Sequence, residues 1–397
     1  MNSDLQKLYQ IGQKPARKII GLMSGTSFDG LDIALCEFNG SGLTTKVNIS
    51  NFITKGYEPA FKEEVKSVFA KKNVDLEKLT LLNAYVGSYH ARLINEALQE
   101  WGVENQSIDL IASHGQTIFH APKHTHPNSI YNNATLQIGD ADHIAVSTGI
   151  ITLSDFRQKH IAAGGEGAPL AVYGDLLIFS NDKENRIMLN IGGISNFSYL
   201  PAGRPEHFFS TDVGPGNTMI DQFVQAHYPG LYYDKDSRLG LSGEVNKQLL
   251  HCLLNHNFFA AEFSKTTGPE LFNKAYLQNA IDQSGARGLS NEDIIATLTH
   301  FSAHGIINAI EKATGNINNF EIYLSGGGMY NKLLVSLIEN RLKKQIKSTA
   351  DLGIHPDAKE AVLFALLANE AVSGNLNTMN LASGIPNVSM GKISFPH

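Results

Sequence analysis

The sequence predicts an α/β protein of two duplicated halves, each ordered β-β-β-α-β-α, with a ligand cleft between them. Three observations carry that expectation. A turn of Gly25, Thr26, Ser27, Asp29 and Gly30 joins two apolar strand patterns near the start of the chain. A second strand pattern runs into Gly192 and Gly193, and a third into Gly326, Gly327 and Gly328. The chain has 397 residues, too many for one typical core, so two domains are expected, 1–150 and 151–397. The final helix is expected to pack back on the first domain.

In the first half, Lys18–Leu22, Leu31–Phe38 and Thr45–Ile53 read as strands. Phe61, Val65, Val68 and Phe69 then recur with a helical period. A longer helix carries Leu82, Val86, Tyr89, Leu93 and Leu98 on its apolar side, and Gly102 stops it. Ile108–Ser113 reads as a buried strand that ends in a polar turn, His114–Thr117. Tyr131–Phe179, rich in Gly, Ala and Asp, reads as functional loops around the domain junction. In the second half, Arg186–Ile191, Ser195–Leu200 and His207–Thr211 read as strands. Helices are expected over Asn217–His227, Asn291–Ala313, Lys332–Lys344 and Asp357–Val372, with a strand at Glu321–Leu324.

Composition narrows the function classes. Hydrophobic residues make up 42% and charged residues 18%, a globular mix. A net charge of −6 argues against a nucleic-acid surface or a polybasic membrane anchor. Cys36 and Cys252 form no spacing motif and suit a reducing compartment. The start, MNSDLQKLYQ, lacks the apolar stretch of a signal peptide, and runs such as Ala361–Ala368 are too short to span a bilayer. These features predict a cytoplasmic enzyme acting on a small molecule, with a homodimer left open.

Three turns carry the candidate chemistry. In Gly25–Gly30, glycine lets backbone N–H groups approach a ligand, Thr26 and Ser27 add hydroxyl donors, and Asp29 sets a carboxylate where Mg²⁺ would lie. The alternative is an ordinary tight hairpin. NIGGISN, Asn190–Asn196, supplies a second turn, so that the pair would clamp a polyphosphate. SGGG, Ser325–Gly328, would let a flat base lie against the backbone, with Asn331 reading a polar edge; a plain strand–helix turn is the alternative.

Asp212, in STDVGPGNT, lies just past a strand end beside Gly214, Pro215 and Gly216. A carboxylate there suits a general base; a turn-capping Asp is the alternative. Arg157 adjoins the loop GGEGAP and suits a bidentate pair with a substrate carboxylate, against a surface ion pair with Asp155 or Glu166. Glu360 opens the helix KEAVLFA, where an acidic residue is ordinary. His114, His120, His124 and His126 lack regular ligand spacing and read as a polar loop rather than a zinc site.

Together GTSFDG, NIGGISN and SGGG resemble the ATP-binding superfamily of actin, Hsp70 and sugar kinases. More closely, GLMSGTSFDGLD, IASHGQT, DFRQKHIAAGGEGAPL, NIGGISN, STDVGPGN, LSGGGMYN and DAKEAVLFALLA resemble the 1,6-anhydro-N-acetylmuramic acid kinases, from about Ile19 to Ala368. The resemblance implies two actin-like (RNase H-like) domains and ATP with Mg²⁺ as cofactors. It implies a kinase of peptidoglycan recycling that opens the 1,6-anhydro ring and phosphorylates O6. Gly25, Thr26, Ser27, Phe28, Asp29, Gly30, Leu31 and Asp32 would hold ATP phosphates, with Gly192, Gly193 and Gly214 in the second half. Gly326, Gly327, Gly328 and Asn331 would lie near adenosine. Asp212 would activate the attacking water, and Arg157, Glu360, His114 and Glu166 would meet the sugar. Asp29 is the expected metal ligand. One departure stands out: the family reads GGQGAPL, and Glu166 replaces that Gln here. Another sugar or acyl kinase of the same superfamily is the alternative reading.

Overall fold

The computed structural model describes residues 2–126, 128–315, 317–374 and 386–397. The chain divides into two units, Met1–Ile178 with Gly353–His397, and Phe179–Leu352. Strands of the described residues are β1 (Ala16–Ser24), β2 (Gly30–Asn39), β3 (Lys46–Gly56), β4 (Leu110–Ala121), β5 (Ala134–Ile138) and β6 (Thr152–Ser154). They continue as β7 (Asn185–Ile191), β8 (Ile194–Leu200), β9 (Phe209–Pro215), β10 (Phe320–Ser325), β11 (Ile346–Ser348) and β12 (Lys392–Ser394).

The first unit holds a sheet ordered β12-β6-β4-β1-β2-β3, with β5 paired to β4. β1, β2 and β3 form an antiparallel meander, and β4 and β6 then add in parallel beside β1. The second unit repeats the pattern in the order β11-β10-β7-β8-β9. Its first three strands are antiparallel, and β10 and β11 add in parallel beside β7. The shared meander-plus-parallel order is the duplicated RNase H-like, actin-like architecture.

In the first unit β1 is buried along most of its length because helices cover both faces of the sheet. The helix Leu76–Trp101 sends Val86, Leu93 and Ile94 into a core with Ile20, Ile33, Phe61 and Ile111. It starts on Asp75, whose side chain accepts from Lys78 N at 3.0 Å, and stops at Gly102 in the left-handed region, φ 64°. On the other face lies the helix Lys359–Ser373. A Cβ at Gly21 would stand 1.9 Å from the Ala361 carbonyl oxygen, so only glycine lets β1 take this helix so closely. In the second unit the helix Asn291–Thr314 packs on β9 and β8, and its Ile306, Ile310 and Ala303 share one core with Ile187 and Ile322. A further apolar cluster joins Phe223, Leu249, Leu253, Phe272 and Phe301 between helices that follow β9.

Four expectations are corrected. β4 does not end at Ser113; it runs through His114–Thr117 to Ala121, because β5 pairs with the extension from Gln116 onward. Gly115 sits there at φ 71°, which permits the irregular register without a turn. Tyr131–Phe179 is not mainly loop: it forms β5, β6 and the helices Ala141–Thr148, Phe156–Ala162 and Ala171–Phe179. The segment 151–178 belongs to the first unit, where β6 pairs with β4, so the expected division after residue 150 falls too early. Asp212 lies inside β9, not past its end.

Candidate functional site

In the first unit the β1–β2 turn alternates its side chains. Thr26, Ser27 and Asp29 are exposed, and Phe28 is buried edge-on against Phe69, centroids 5.0 Å apart. Phe28, not a glycine, takes the left-handed conformation, φ 59°. It is paid for by burial of a large ring, which holds the polar residues on either side outward. Gly25 has open space where a Cβ would sit, its nearest neighbour being Ser27 Oγ at 3.6 Å. Gly30 is needed for packing, since a Cβ would meet the Lys55 carbonyl oxygen at 2.4 Å. Leu31 is buried in the core, so its side chain faces away from the turn's outer surface. Asp32 accepts from Thr54 Oγ1 at 2.6 Å, and burial raises its carboxyl pKa, with Asp357 and Asp29 adding like charge.

The expected sugar contacts of this unit fall into two groups. Arg157, on the helix Phe156–Ala162, donates Nε–H to His114 Nε2 at 3.0 Å and Nη1–H to the Gly167 carbonyl at 2.6 Å. Arginine only donates, so His114 carries its proton on Nδ1 and presents Nε2 as an acceptor. Burial, aided by the Arg157 charge, lowers the His114 pKa to about 3, and the ring is neutral. His114 Nε2 is therefore engaged by Arg157. Burial lowers the Arg157 pKa, and the Glu360 charge opposes that shift. Protein surroundings raise the Glu360 carboxyl pKa, while Arg157 draws it down. Arg157 and Glu360 thus share one electrostatic environment. Water reaches the Glu360 side chain, which leaves it open to a ligand.

Glu166 is exposed and stands 3.8 Å from His124 Nδ1, on the side of the His-rich segment. Asp155 pairs with Lys392 at 2.5 Å, so neither acid proposed as an ion-pair partner takes Arg157. His160 was not singled out by sequence reasoning. It is buried, accepts from Gly167 N at 2.9 Å, and fills the space where a Gly165 Cβ would stand, 2.2 Å from its Cε1. It shapes the loop whose carbonyl receives Arg157. The spacing of three residues from Arg157 on one helix was the available signal.

In the second unit, the β7–β8 turn is held by the segment after β9. Asn217 N donates to the Gly192 carbonyl at 2.9 Å, and Gly216 N and Thr218 N donate to the Gly193 carbonyl at 2.8 and 3.1 Å. Gly216 must be glycine, because a Cβ would stand 2.3 Å from the Gly192 oxygen. Gly193 itself is exposed. The three glycines after β10 divide their work. Gly326 takes φ 87° and Gly328 would place a Cβ 2.1 Å from Ile191 Cγ2, so both are packing residues. Gly327 has nothing within 4 Å of its Cβ position. Asn331 is buried; its Oδ1 accepts from Leu334 N at 3.0 Å and from Ser237 Oγ at 2.7 Å. It caps the helix Lys332–Leu342, so its side-chain oxygen is engaged within the protein.

Asp212 sits at a register irregularity in the β8–β9 pair. Asn196 faces Asp212 and Ser195 faces Gly214, so Val213 is the extra residue of a bulge. Val213 is buried in the core, and Asp212 is half-buried. Its Oδ2 accepts from Thr267 N at 2.9 Å, and its own N–H donates to the Lys265 carbonyl at 3.0 Å. Burial raises its pKa to about 6; the Thr267 N–H opposes the shift and Glu270 adds to it. A fixed carboxylate titrating near 6 is basic enough to take a proton and still ionised at neutral pH. Among the described residues, no group of three or more metal-ligating side chains converges.

Two RNase H-like units, each with a glycine turn after its first strand and one with a tuned carboxylate, define an actin-like sugar-kinase architecture. The family model for anhydro-N-acetylmuramic acid kinase matches residues 17–394. The chain is 53% identical over 400 residues to the anhydro-N-acetylmuramic acid kinase of Pseudoalteromonas atlantica, covering all of both chains. It is 49% identical to that of Pseudoalteromonas translucida, again with full coverage. It is 38% identical to that of Caldanaerobacter subterraneus subsp. tengcongensis, covering 98% of this chain and 100% of the relative. The chain belongs to the anhydro-N-acetylmuramic acid kinase family.

Proposed function

We propose that the protein uses ATP to convert 1,6-anhydro-N-acetylmuramic acid into N-acetylmuramic acid 6-phosphate in peptidoglycan recycling, in the cytoplasm, where ATP is at hand. The observation that carries the reaction is Asp212, a strand-held carboxylate with its pKa pushed up to about 6. In the substrate O6 is tied to C1. Asp212 takes a proton from water as it attacks C1, the C1–O6 bond breaks, and O6 accepts the γ-phosphoryl group. Phosphoryl transfer needs mainly positioning and charge stabilisation, which turns of backbone donors supply.

The exposed Gly25–Asp29 turn is the proposed phosphate contact, with donors from its backbone and from Thr26 and Ser27. Gly327, the open member of its triplet, is the proposed adenosine contact. The turn offers one carboxylate beside its hydroxyls, the kind of donor Mg²⁺ usually takes from a protein when it also binds substrate phosphates. Asp29, exposed beside the turn's hydroxyls, would hold it, and the bound ion would neutralise phosphate charge. Arg157, preset by His114 and Gly167, is the proposed partner of the lactyl carboxylate, and Glu360 of a sugar hydroxyl. Glu166 lies toward His124, so its charge need not oppose the anionic substrate at Arg157.

A coupled ADP-release assay tests this reading. ADP should appear with anhydro-N-acetylmuramic acid and not with N-acetylmuramic acid, glucose or acetate. Equal turnover of glucose or acetate would instead assign a general sugar or acyl kinase.

A further inference from the structure

Beneath the β1–β2 turn lies a row of buried polar side chains that the reaction does not use. His90 and Gln116 are fully buried, and Ser24 and Tyr57 nearly so. They come from the helix Leu76–Trp101, from β4, from the end of β1 and from the residue after β3. Four polar groups in an apolar core are costly unless each has a partner, so their arrangement needs a cause.

The contacts define one direction. Tyr57 Oη donates to Ser24 Oγ at 2.6 Å, and Ser24 Oγ donates to Gln116 Oε1 at 2.5 Å. The Tyr57 proton is thereby spent, so the 3.0 Å contact with His90 Nε2 must be a donation from His90. Burial lowers the His90 pKa to about 4, which keeps the ring neutral, with Nδ1 left as a bare lone pair. With Oε1 accepting, the Gln116 amide nitrogen faces the turn. It reaches the Gly25 carbonyl at 3.4 Å and the Thr117 carbonyl at 3.3 Å. The relay therefore runs His90 to Tyr57 to Ser24 to Gln116 and ends on the first carbonyl of the turn. Tyr57 also serves the other end: its backbone N–H donates to the Asp29 carbonyl at 3.1 Å.

A loop that receives an anion must turn its carbonyl dipoles away and its N–H dipoles outward. We propose that Gln116 and Tyr57 are positioning residues that pin the Gly25 and Asp29 carbonyls inward and so preset the Gly25–Asp29 turn for phosphate. The inference rests on the proposal that this turn binds the nucleotide phosphates. Neither residue touches the ligand; both act through backbone carbonyls. The relay's polarity assigns them unequal weight, because Gln116 contacts the turn directly and the Tyr57 hydroxyl stands three hydrogen bonds from the Gly25 carbonyl.

Tyr57→Phe, Gln116→Leu and the double variant test it, with KM for ATP and for the sugar, ADP affinity by titration calorimetry, and thermal unfolding. Tyr57→Phe keeps the ring packed on Phe61, at 4.6 Å between centroids. Gln116→Leu should raise ATP KM and ADP Kd about tenfold, the scale of one lost buried hydrogen bond. Tyr57→Phe should raise them about threefold, and the double variant should match Gln116→Leu, since both break one chain. Sugar KM should stay within about twofold. Ile108→Val, a core change just before the start of β4, at the opposite end of that strand from Gln116, should lower thermal stability without moving ADP affinity. If it shifts ADP affinity as much as Gln116→Leu, or if sugar KM rises equally in the relay variants, the effect is general loosening and the inference falls. Gly25→Val separates the two levels. If it weakens ADP binding while both relay variants bind normally, the phosphate turn stands and the relay role is wrong. If Gly25→Val also binds normally, the turn is not the phosphate site and both fall.

Discussion

Arg157 donates its Nε–H to Nε2 of a neutral, buried His114 over 3.0 Å. With Nη1 fixed on the Gly167 carbonyl at 2.6 Å, two of the guanidinium nitrogens are committed to protein acceptors. A side chain that ordinarily samples many rotamers is thereby held in one place before substrate arrives. The acceptor is neutral, so Arg157 keeps a net positive charge to offer an anion.

Arg157→Leu should raise the sugar KM well above its effect on ATP KM. Loss of a charge-assisted hydrogen bond costs about 1.5–3 kcal/mol, or roughly ten- to a hundredfold in binding. His114→Phe should move the sugar KM in the same direction by less, because the ring still packs on Phe364, 4.7 Å away, but no longer accepts. Steady-state kinetics with each substrate varied in turn decides it. A rise in ATP KM alone would put Arg157 on the nucleotide side.

Asp212→Asn should remove turnover by about 10²–10⁴-fold while ADP affinity stays near normal. Asparagine can still accept from Thr267 N through its oxygen, so the local backbone is retained. Near-normal turnover would remove Asp212 as the base.

The same carboxylate sets two pH responses of opposite use. Its pKa in the folded protein is about 6, above the ~3.9 of an unfolded Asp. Below about pH 6 it is protonated, so kcat/KM should fall about tenfold per unit. For stability, the folded state binds more protons than the unfolded one between those values, so this group's contribution falls as pH rises from about 4 to 6. Asp212→Asn should therefore unfold at higher temperature than the parent at pH 7 and at the same temperature below about pH 4. Calorimetric melting at both pH values checks the sign.

Gly327→Ala and Gly328→Ala should separate binding from folding. A methyl at Gly328 meets Ile191 Cγ2 at 2.1 Å, and overpacking of that kind costs about 1–3 kcal/mol. A methyl at Gly327 meets nothing, so its melting temperature should hold and only nucleotide affinity should fall. Unchanged ADP affinity in Gly327→Ala would remove this turn from the adenosine contact.

The strands and helices with strong local periodicity were legible in the sequence, as was the β-β-β-α-β-α order repeated in both units. Where a residue's partner lies far along the chain, local pattern was misleading. His114–Thr117 looked like a turn because a glycine in a polar run is a turn signal, yet the later strand β5 makes Gly115 a strand irregularity. Asp212 looked like a loop residue because Gly-Pro-Gly follows it, although β8 holds it in register through a bulge. Asn331 read as a contact to a polar edge, and the cap it makes was hidden because Ser237, which shares its side-chain oxygen, lies 94 residues away. Tyr57 and His90 fall in no motif, and Gln116 stood in IASHGQT without a role, since the relay through Ser24 exists only once four elements pack.

The central claim is that one active site hydrolyses the anhydro bond and phosphorylates the oxygen it frees. Mass spectrometry of the product formed from anhydro-N-acetylmuramic acid and ATP tests it most directly, with the parent and Asp212→Asn compared. The parent should yield a product heavier than the substrate by one water and one phosphoryl group together, and Asp212→Asn should yield neither addition. A product that gains only the phosphoryl group, with the anhydro ring intact, would contradict the mechanism.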